Sequence, residues 1–160
     1  MTGFQLPIAP PTPAGFLIWV RGFMGVPVSV LPDNSPYLTY AYDIAITTVN
    51  TLLAVAPNQY ALAVYNLGGD RLVNITPDAT PFVIYKNELP YWAYQREVFK
   101  IFSFTAGVVQ SASDEGTSDS LLVPDAFKGL TMSDLQNLKT PWGRNYLSFA
   151  QKMGSLWGLT

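Results

Sequence analysis

The sequence predicts a mainly α-helical chain, and three observations carry that expectation. Residues 35–56, 90–102 and 140–153 repeat apolar side chains at spacings of three and four, the period of one helix face. Each of these stretches opens with a proline in its first turn, where a missing N–H costs nothing. Between the second and third lies SASDEGTSDS, a polar tract flanked by Val108-Val109 and Leu121-Leu122-Val123, which reads as a β-hairpin with a long tip or as a loop. The expected organisation is an extended Pro-rich N-terminal arm (1–34), a helical domain (35–153) with a hairpin or loop at about 106–123, and a C-terminal tail (154–160).

The arm begins LPIAPPTPAG, where each proline fixes φ and biases the residue before it away from helix. GFLIWVRGFMGVPVSVL follows, rich in β-branched and aromatic residues and punctuated by Gly22 and Gly25. It reads as strand or extended arm, lying on its own domain or on a neighbouring subunit. Pro32-Asp33-Asn34 is a turn.

Ser35 is an N-cap candidate and Pro36 the first helical position of a helix of about five turns. Leu38, Tyr42, Ala45, Val49, Leu52, Leu53 and Ala56 fall on its apolar face, Thr39, Asp43, Thr47, Asn50 and Thr51 on its polar one, and Pro57 ends it. Tyr60–Val73 has two readings. Gly68-Gly69-Asp70 is hairpin grammar between two apolar arms; alternatively, a helix puts Ala61, Val64, Tyr65, Gly68 and Leu72 on one face. Two glycines inside a helix cost roughly 1 kcal/mol each against alanine, tolerable where they let a neighbouring helix approach.

Pro90 starts the next helix, with Tyr91, Tyr94, Val98, Ile101 and Phe102 as its stripe and Trp92 and Phe99 widening the apolar side. Thr131-Met132-Ser133-Asp134 resembles a capping box and opens a short helix. Thr140-Pro141 opens the last one, with Trp142, Tyr146, Phe149, Ala150 and Met153 on the core side, Arg144, Asn145, Ser148, Gln151 and Lys152 opposite, and Gly154 as its stop.

Composition excludes several function classes. Charged residues are 12% of the chain, against roughly 25% in average soluble domains, while hydrophobic residues reach 49% and aromatics 14%. Such a chain either covers surface with partners or carries a Tyr-, Thr- and Asn-rich exterior. A net charge of −2 with scattered Lys and Arg gives no phosphate groove. There are no cysteines, hence no disulfide or thiolate site, and no histidines, which removes the Ser-His-Asp triad and the commonest zinc ligand. No apolar run reaches the roughly 18 residues of a membrane span, so no membrane partner is expected. A soluble, unprocessed chain is expected.

The search for chemistry returns no catalytic set. Leu67-Gly68-Gly69-Asp70 lacks the spacing and lysine of a phosphate loop. Asp114, Glu115 and Asp119 lack EF-hand alternation and read as a solvated loop. Ser133 or Ser148 with Lys139 or Lys152 is ordinary helix-surface composition, and eleven acids offer no particular pair for glycoside hydrolysis. No enzyme activity, cofactor or metal is expected. Trp157, with Leu156 and Leu159, lies beyond the last helix, where a Trp either folds back on its own helices or anchors in a partner's groove.

Three stretches carry a resemblance: the helix pair ending YALAVYNLGGDRLVNI, GVVQSASDEGTSDS followed by a short helix, and LKTPWGRNYLSFAQ. Their order over about residues 35–153 resembles the head–tail connector (adaptor) proteins of the tailed-bacteriophage neck. The resemblance implies a small helical bundle with a hairpin or long loop, and therefore helix at 60–73. It implies a homo-oligomeric ring of twelve copies in the virion, assembled in the host cytoplasm. That ring binds the portal above and a tail or nozzle protein below, contacting DNA in its lumen without specific nucleic-acid recognition. The tail residues Leu156, Trp157 and Leu159 would dock on the portal, and Asp114, Glu115 and Asp119 would face the lumen or the next tail component. The Pro-rich arm departs from the compact form of that family. A strand-rich tail-terminator or fibre-associated virion protein is the alternative, and a Ser–Lys or carboxylate hydrolase a remote one. Lacking histidine, assembly is expected to be insensitive to pH between 6 and 8.

Overall fold

In a computed structural model of the chain, the described residues are 10–51, 56–79, 83–103, 108–111, 120–122 and 132–152. They are mainly helical, as the periodicity predicts. Thr12 starts the first helix, α1 (Pro13–Gly22): its backbone is extended and its Oγ1 accepts from the Gly15 N–H at 3.0 Å, with Pro13 next in line. This corrects the expectation of a strand or extended arm over this stretch. Thr12-Pro13 is the same start signal as Thr140-Pro141. Phe16, Trp19 and Val20 are buried on the helix it opens, so tertiary burial outweighs the β propensity of the segment.

α1 ends in a turn in which Gly25 takes φ +66°, a conformation that suits glycine. Arg21 stitches this turn to the helix, donating to the Val26 carbonyl at 2.8 Å, to the Leu31 carbonyl and to the Asp33 carboxylate. Next, α2 (Pro36–Thr48) buries Leu38, Ala41, Tyr42 and Ala45 and exposes Thr39, Asp43 and Thr47, the two faces read from the sequence. Two details differ. The Ser35 hydroxyl makes no capping bond, and the helix stops at Thr48 rather than running to Ala56. There the Thr47 and Thr48 hydroxyls bond back to the Asp43 and Ile44 carbonyls, while Val49 has turned to extended backbone. Pro57 consequently begins a helix instead of ending one.

That helix, α3 (Pro57–Ile75), is the centre of the fold, and Tyr60–Val73 is helical throughout. Ala63, Val64, Leu67, Leu72 and Val73 have no exposed surface. At about 1.5–3 kcal/mol for each fully buried Val or Leu, this helix is the largest single store of hydrophobic stabilisation. α3 packs most extensively on α6 (Pro141–Lys152) and α2. The two glycines explain how α1 fits as well. A Cβ at Gly68 would stand 2.8 Å from the Phe16 ring, and one at Gly69 2.7 Å from the Trp19 ring. Phe16, Trp19, Tyr42 and Tyr65 stack around this approach, with ring centroids 5.9–6.4 Å apart. Tyr65 Oη then accepts from the Thr12 N–H and Tyr42 Oη donates to the Pro11 carbonyl, which fixes the entry to α1.

α4 (Tyr91–Val98) is shorter than expected and turned relative to its expected stripe. Tyr91 and Trp92 are buried, whereas Val98 and Phe102 face solvent. Two short strands, β1 (Val108–Ser111) and β2 (Ser120–Leu122), pair antiparallel with Val108 opposite Leu122. Residues 112–119 lie outside the described residues, so the expected insertion is described at these strands alone. α5 (Met132–Asn137) leads into α6, which buries Gly143, Tyr146 and Leu147, half-buries Trp142 and Phe149, and exposes Arg144, Asn145, Ser148 and Gln151. Met153 and Gly154 lie outside the described residues.

Candidate functional site

Among the described residues, two places concentrate polar chemistry or open apolar surface. The first is interior. Asp70, on α3, has no solvent exposure. Thr140 caps α6 by accepting from the Gly143 N–H at 3.0 Å and donates its hydroxyl proton to Asp70 Oδ1 at 2.5 Å. Arg71 Nη1 and Asn74 Nδ2 approach Oδ2 at 3.3 and 3.4 Å. Gly143 makes this possible, since a Cβ there would sit 2.8 Å from Asp70 Oδ1 and 2.0 Å from the Asn137 carbonyl oxygen. Burial pushes the Asp70 carboxyl up to about 6, against the Thr140 hydrogen bond and the Arg71 and Lys139 charges, which favour ionisation. A carboxyl enclosed by its own helices has no route to a substrate. Asp70 is therefore a joint between α3 and α6. The absent histidines are not the whole of the titration of this fold: burial brings the Asp70 carboxyl to the lower edge of the pH 6–8 window.

The second place is a surface cleft of about 290 Å³ between the turn after α1 and the segment leading into α4. Pro27, Ser29 and Val30 from the turn line it together with Asp78, Val83, Ile84, Tyr85, Pro90 and Tyr91. Asp78 fixes the start of α4 beside it. Its two carboxylate oxygens accept from the Trp92 and Ala93 N–H groups at 2.8 and 3.0 Å, satisfying two orphan donors of α4. Pro90, at the N-cap position, has no side chain for that task. Arg96 anchors the other side of α4 by donating to the Val73 carbonyl at 2.8 Å and to the Thr76 carbonyl, and burial lowers its pKa. Tyr91 is pushed up to about 12, first by burial and then by Tyr85, so its hydroxyl stays protonated. Tyr85 stands edge-on to Tyr91 at 4.9 Å and to Tyr94 at 5.6 Å, with Lys86 Nζ 5.4 Å from its ring centroid.

The rim of this cleft is apolar and open: Val83 is 83% exposed and Ile84 62%. Val98 at the end of α4 is half-exposed, and Phe102, four residues on, is 89% exposed. An apolar side chain standing this far out marks a contact surface when it occurs in a cluster. Among the described residues no three acidic side chains gather in a way that would hold a metal ion. No helix of the described residues is long and apolar enough to cross a membrane.

The sequence-derived partner residues Asp114, Glu115, Asp119, Leu156, Trp157 and Leu159 all lie outside the described residues, so none is placed in either site. Asp78 and Ile84 were not singled out from the sequence, Asp70 was read only as part of a possible turn and of a rejected phosphate loop, and Phe102 was assigned to the core-facing stripe. A signal for Asp78 was present: an acid twelve residues ahead of a proline-led helix whose own cap position has no acceptor. For Phe102, the switch from periodic pattern to FSFTAG marks the point where helical burial can no longer be assumed. Comparison of the chain with protein-family models, with curated proteins and with solved structures found no match.

Proposed function

We propose that this chain is a non-enzymatic structural protein of the tailed-phage neck, a connector subunit that forms a ring joining portal to tail. The observation that carries the reading is the open apolar surface around α4, on a chain in which 12% of residues are charged. A ring subunit buries such surface on its two neighbours, because head-to-tail contacts that close generate a ring. The mainly helical fold favours this reading over a strand-rich tail-terminator or fibre-associated protein. In this proposal the ring holds twelve copies, residues 106–123 form a hairpin or loop directed to the lumen or the next tail component, and Leu156, Trp157 and Leu159 dock on the portal.

Cryo-electron microscopy of phage particles carrying this chain tests the proposal. The expected result is a ring of density between portal and tail. Density confined to a fibre or spike moves the assignment to the alternative virion role, and absence from the particle removes the virion reading altogether.

A further inference from the structure

We propose that α5 and α6 open from α3 as one unit when the Asp70 carboxyl is ionised, while α1–α4 stay folded. The opening is a property of the single chain and goes beyond the neck reading, whatever the chain assembles with.

The seam between α3 and α6 differs in kind from the rest of the core. α1 and α2 meet α3 through the buried rings of Phe16, Trp19, Tyr42 and Tyr65. Among the described residues, α5 and α6 add only Tyr146 and Leu147 to the buried apolar core. Buried polar side chains collect at this seam instead: Asp70 on α3, Asn137 at the end of α5 and Thr140 at the start of α6. Asn137 Oδ1 is enclosed with no hydrogen-bond partner, so the closed seam carries an unmet polar atom that water would satisfy. The seam is also loose on one side. Leu62 and Asn66 of α3 and Trp142 and Asn145 of α6 line a cleft of about 430 Å³, together with Trp19 and Phe23. Few apolar contacts and a buried polar cluster place an element at the low-stability end of a structure.

Position makes the unit separable. α5 and α6 pack on each other and α6 packs on α3, with Trp142 also edge-on to Phe99 at 5.4 Å. The contacts of α1 with α2, of α1 and α2 with α3, and of α4 with α3 need neither helix. Opening therefore leaves the aromatic cluster of the first three helices whole.

Asp70 couples this opening to pH. On its own helix it faces Arg71 and Asn74, and from the other side the Thr140 hydroxyl and the Lys139 charge. Further along the seam, burial and the Asp134 charge push Tyr146 up against the influence of Arg71, so its hydroxyl stays protonated. The charges of the other elements on α3 are turned elsewhere. Asp43 of α2 and Glu97 of α4 are exposed, Arg21 of α1 is engaged by Asp33, and Arg96 of α4 donates to the Val73 and Thr76 carbonyls. Burial outweighs Thr140, Arg71 and Lys139, and the closed seam holds the Asp70 proton to about pH 6. Once open, the carboxyl meets water and returns to its ordinary value of 3.8, so rising pH favours the open form. These two values make the opening equilibrium about tenfold larger at pH 7.5 than at pH 5.

Amide hydrogen exchange followed by NMR on the full chain tests this, at pH 5 and pH 7.5 and in a series of low urea concentrations. Each rate is divided into the intrinsic rate at its pH. Amides of α5 and α6 are expected to share one level of protection below that of α2 and α3, with a weaker urea dependence, the mark of a part opening alone. Their protection falls about tenfold from pH 5 to pH 7.5. Asp70→Asn abolishes that fall. Thr140→Val removes a hydrogen bond that favours the ionised form, so the fall between the two pH values exceeds tenfold.

Equal protection and equal urea dependence in α6 and α3 would mean that the chain opens only as a whole. Unrelated rates along α5 and α6 with no urea dependence would mean fraying. Either overturns the unit. An undiminished pH effect in Asp70→Asn, or an unchanged one in Thr140→Val, would take control of the opening away from Asp70 and overturn the proposal as well. The urea series needs only the wild type, so a variant that fails to fold leaves the existence of the unit decided.

Discussion

α3 and α4 solve opposite problems. α3 is enclosed along almost its whole length, and its polar residues are satisfied from within: Asn66 bonds to the Leu62 carbonyl, and Asp70 to Thr140, Arg71 and Asn74. α4 is held instead by its two polar ends, Asp78 on its first N–H groups and Arg96 on the carbonyls at the end of α3, and it leaves Val98 and Phe102 in solvent. Enclosure makes α3 intolerant of added volume. Anchoring by ends leaves α4 free to carry apolar residues outward. Substitutions on α3 and its partners are therefore expected to change stability more than those around α4.

The largest effect is expected at the α3–α6 joint. In Gly143→Ala the new methyl meets the Asn137 carbonyl oxygen at 2.0 Å and its carbon at 2.8 Å, and backbone cannot rotate away as a side chain can. A loss of roughly 3 kcal/mol or more is expected, at the upper end of overpacking costs. Urea unfolding followed by circular dichroism measures it. A loss below about 1 kcal/mol would mean that α5 and α6 yield at this point and that the joint is not tight.

Next comes the pH dependence of the same joint. Asp70 in the folded chain titrates near 6, above the unfolded value of 3.8, so the folded state binds the proton more tightly. Stability contributed by this group is fully present below about pH 4, declines as pH rises through 6 and is gone above 7, a span of roughly 3 kcal/mol. Asp70→Asn removes that slope and leaves the protein more stable than wild type at pH 8. The difference between the two unfolding free energies, followed from pH 4.5 to 8, isolates Asp70 from the other acids. Parallel curves would show that the carboxylate is solvated or better paired than its burial implies.

The contrast between the helices also explains what was legible. The amphipathic pattern of α2 gave its buried and exposed faces residue by residue, because one side of it meets solvent. α3 was ambiguous for a physical reason: a helix buried all round has no polar face to betray its period, and its glycines serve the Phe16 and Trp19 rings of a segment that itself read as strand. Even the preference for helix there came from the resemblance rather than the residues. α4 had a clear period, yet periodicity identifies a helix without saying which side is covered. Its orientation is set by Asp78 and by carbonyls of residues 73 and 76, contacts across fourteen to twenty-three positions that no local window holds. The fold class was therefore readable from the sequence, while the candidate surface was not: Val98 and Phe102 belong to a periodic stripe that reads as core, and Val83 and Ile84 lie in a loop with no period to read.

A smaller effect is expected where α4 is anchored. Asp78→Ala leaves the Trp92 and Ala93 N–H groups without their acceptor at a partly buried helix start. A loss of about 1–2 kcal/mol follows, the usual range for deleting a helix cap, and Asp78→Asn, which keeps one acceptor oxygen, loses less. Thermal unfolding gives both values. A loss below about 0.5 kcal/mol in Asp78→Ala would mean that water replaces the carboxylate at these two N–H groups.

The smallest effect sharpens the contrast from the other side, because it should stabilise. The turn Lys86–Leu89 places Asn87 at φ +51° and Glu88 at φ +60°, the left-handed pair of a two-residue hairpin turn. Asparagine adopts that conformation readily; glutamate does not, and an ordinary side chain held there costs roughly 1–2 kcal/mol. Glycine relieves the strain but loses more chain entropy on folding. Glu88→Gly is therefore expected to raise stability by about 0.5–1 kcal/mol, while Asn87→Gly changes little. Differential scanning calorimetry on the two variants decides it. An increase confined to Glu88→Gly means that the wall of the cleft is strained in the isolated chain and held rigid by its turn. Loss of stability in Glu88→Gly would mean that the Glu88 side chain contributes a contact worth more than the strain, and the cleft wall would then owe its shape to that contact.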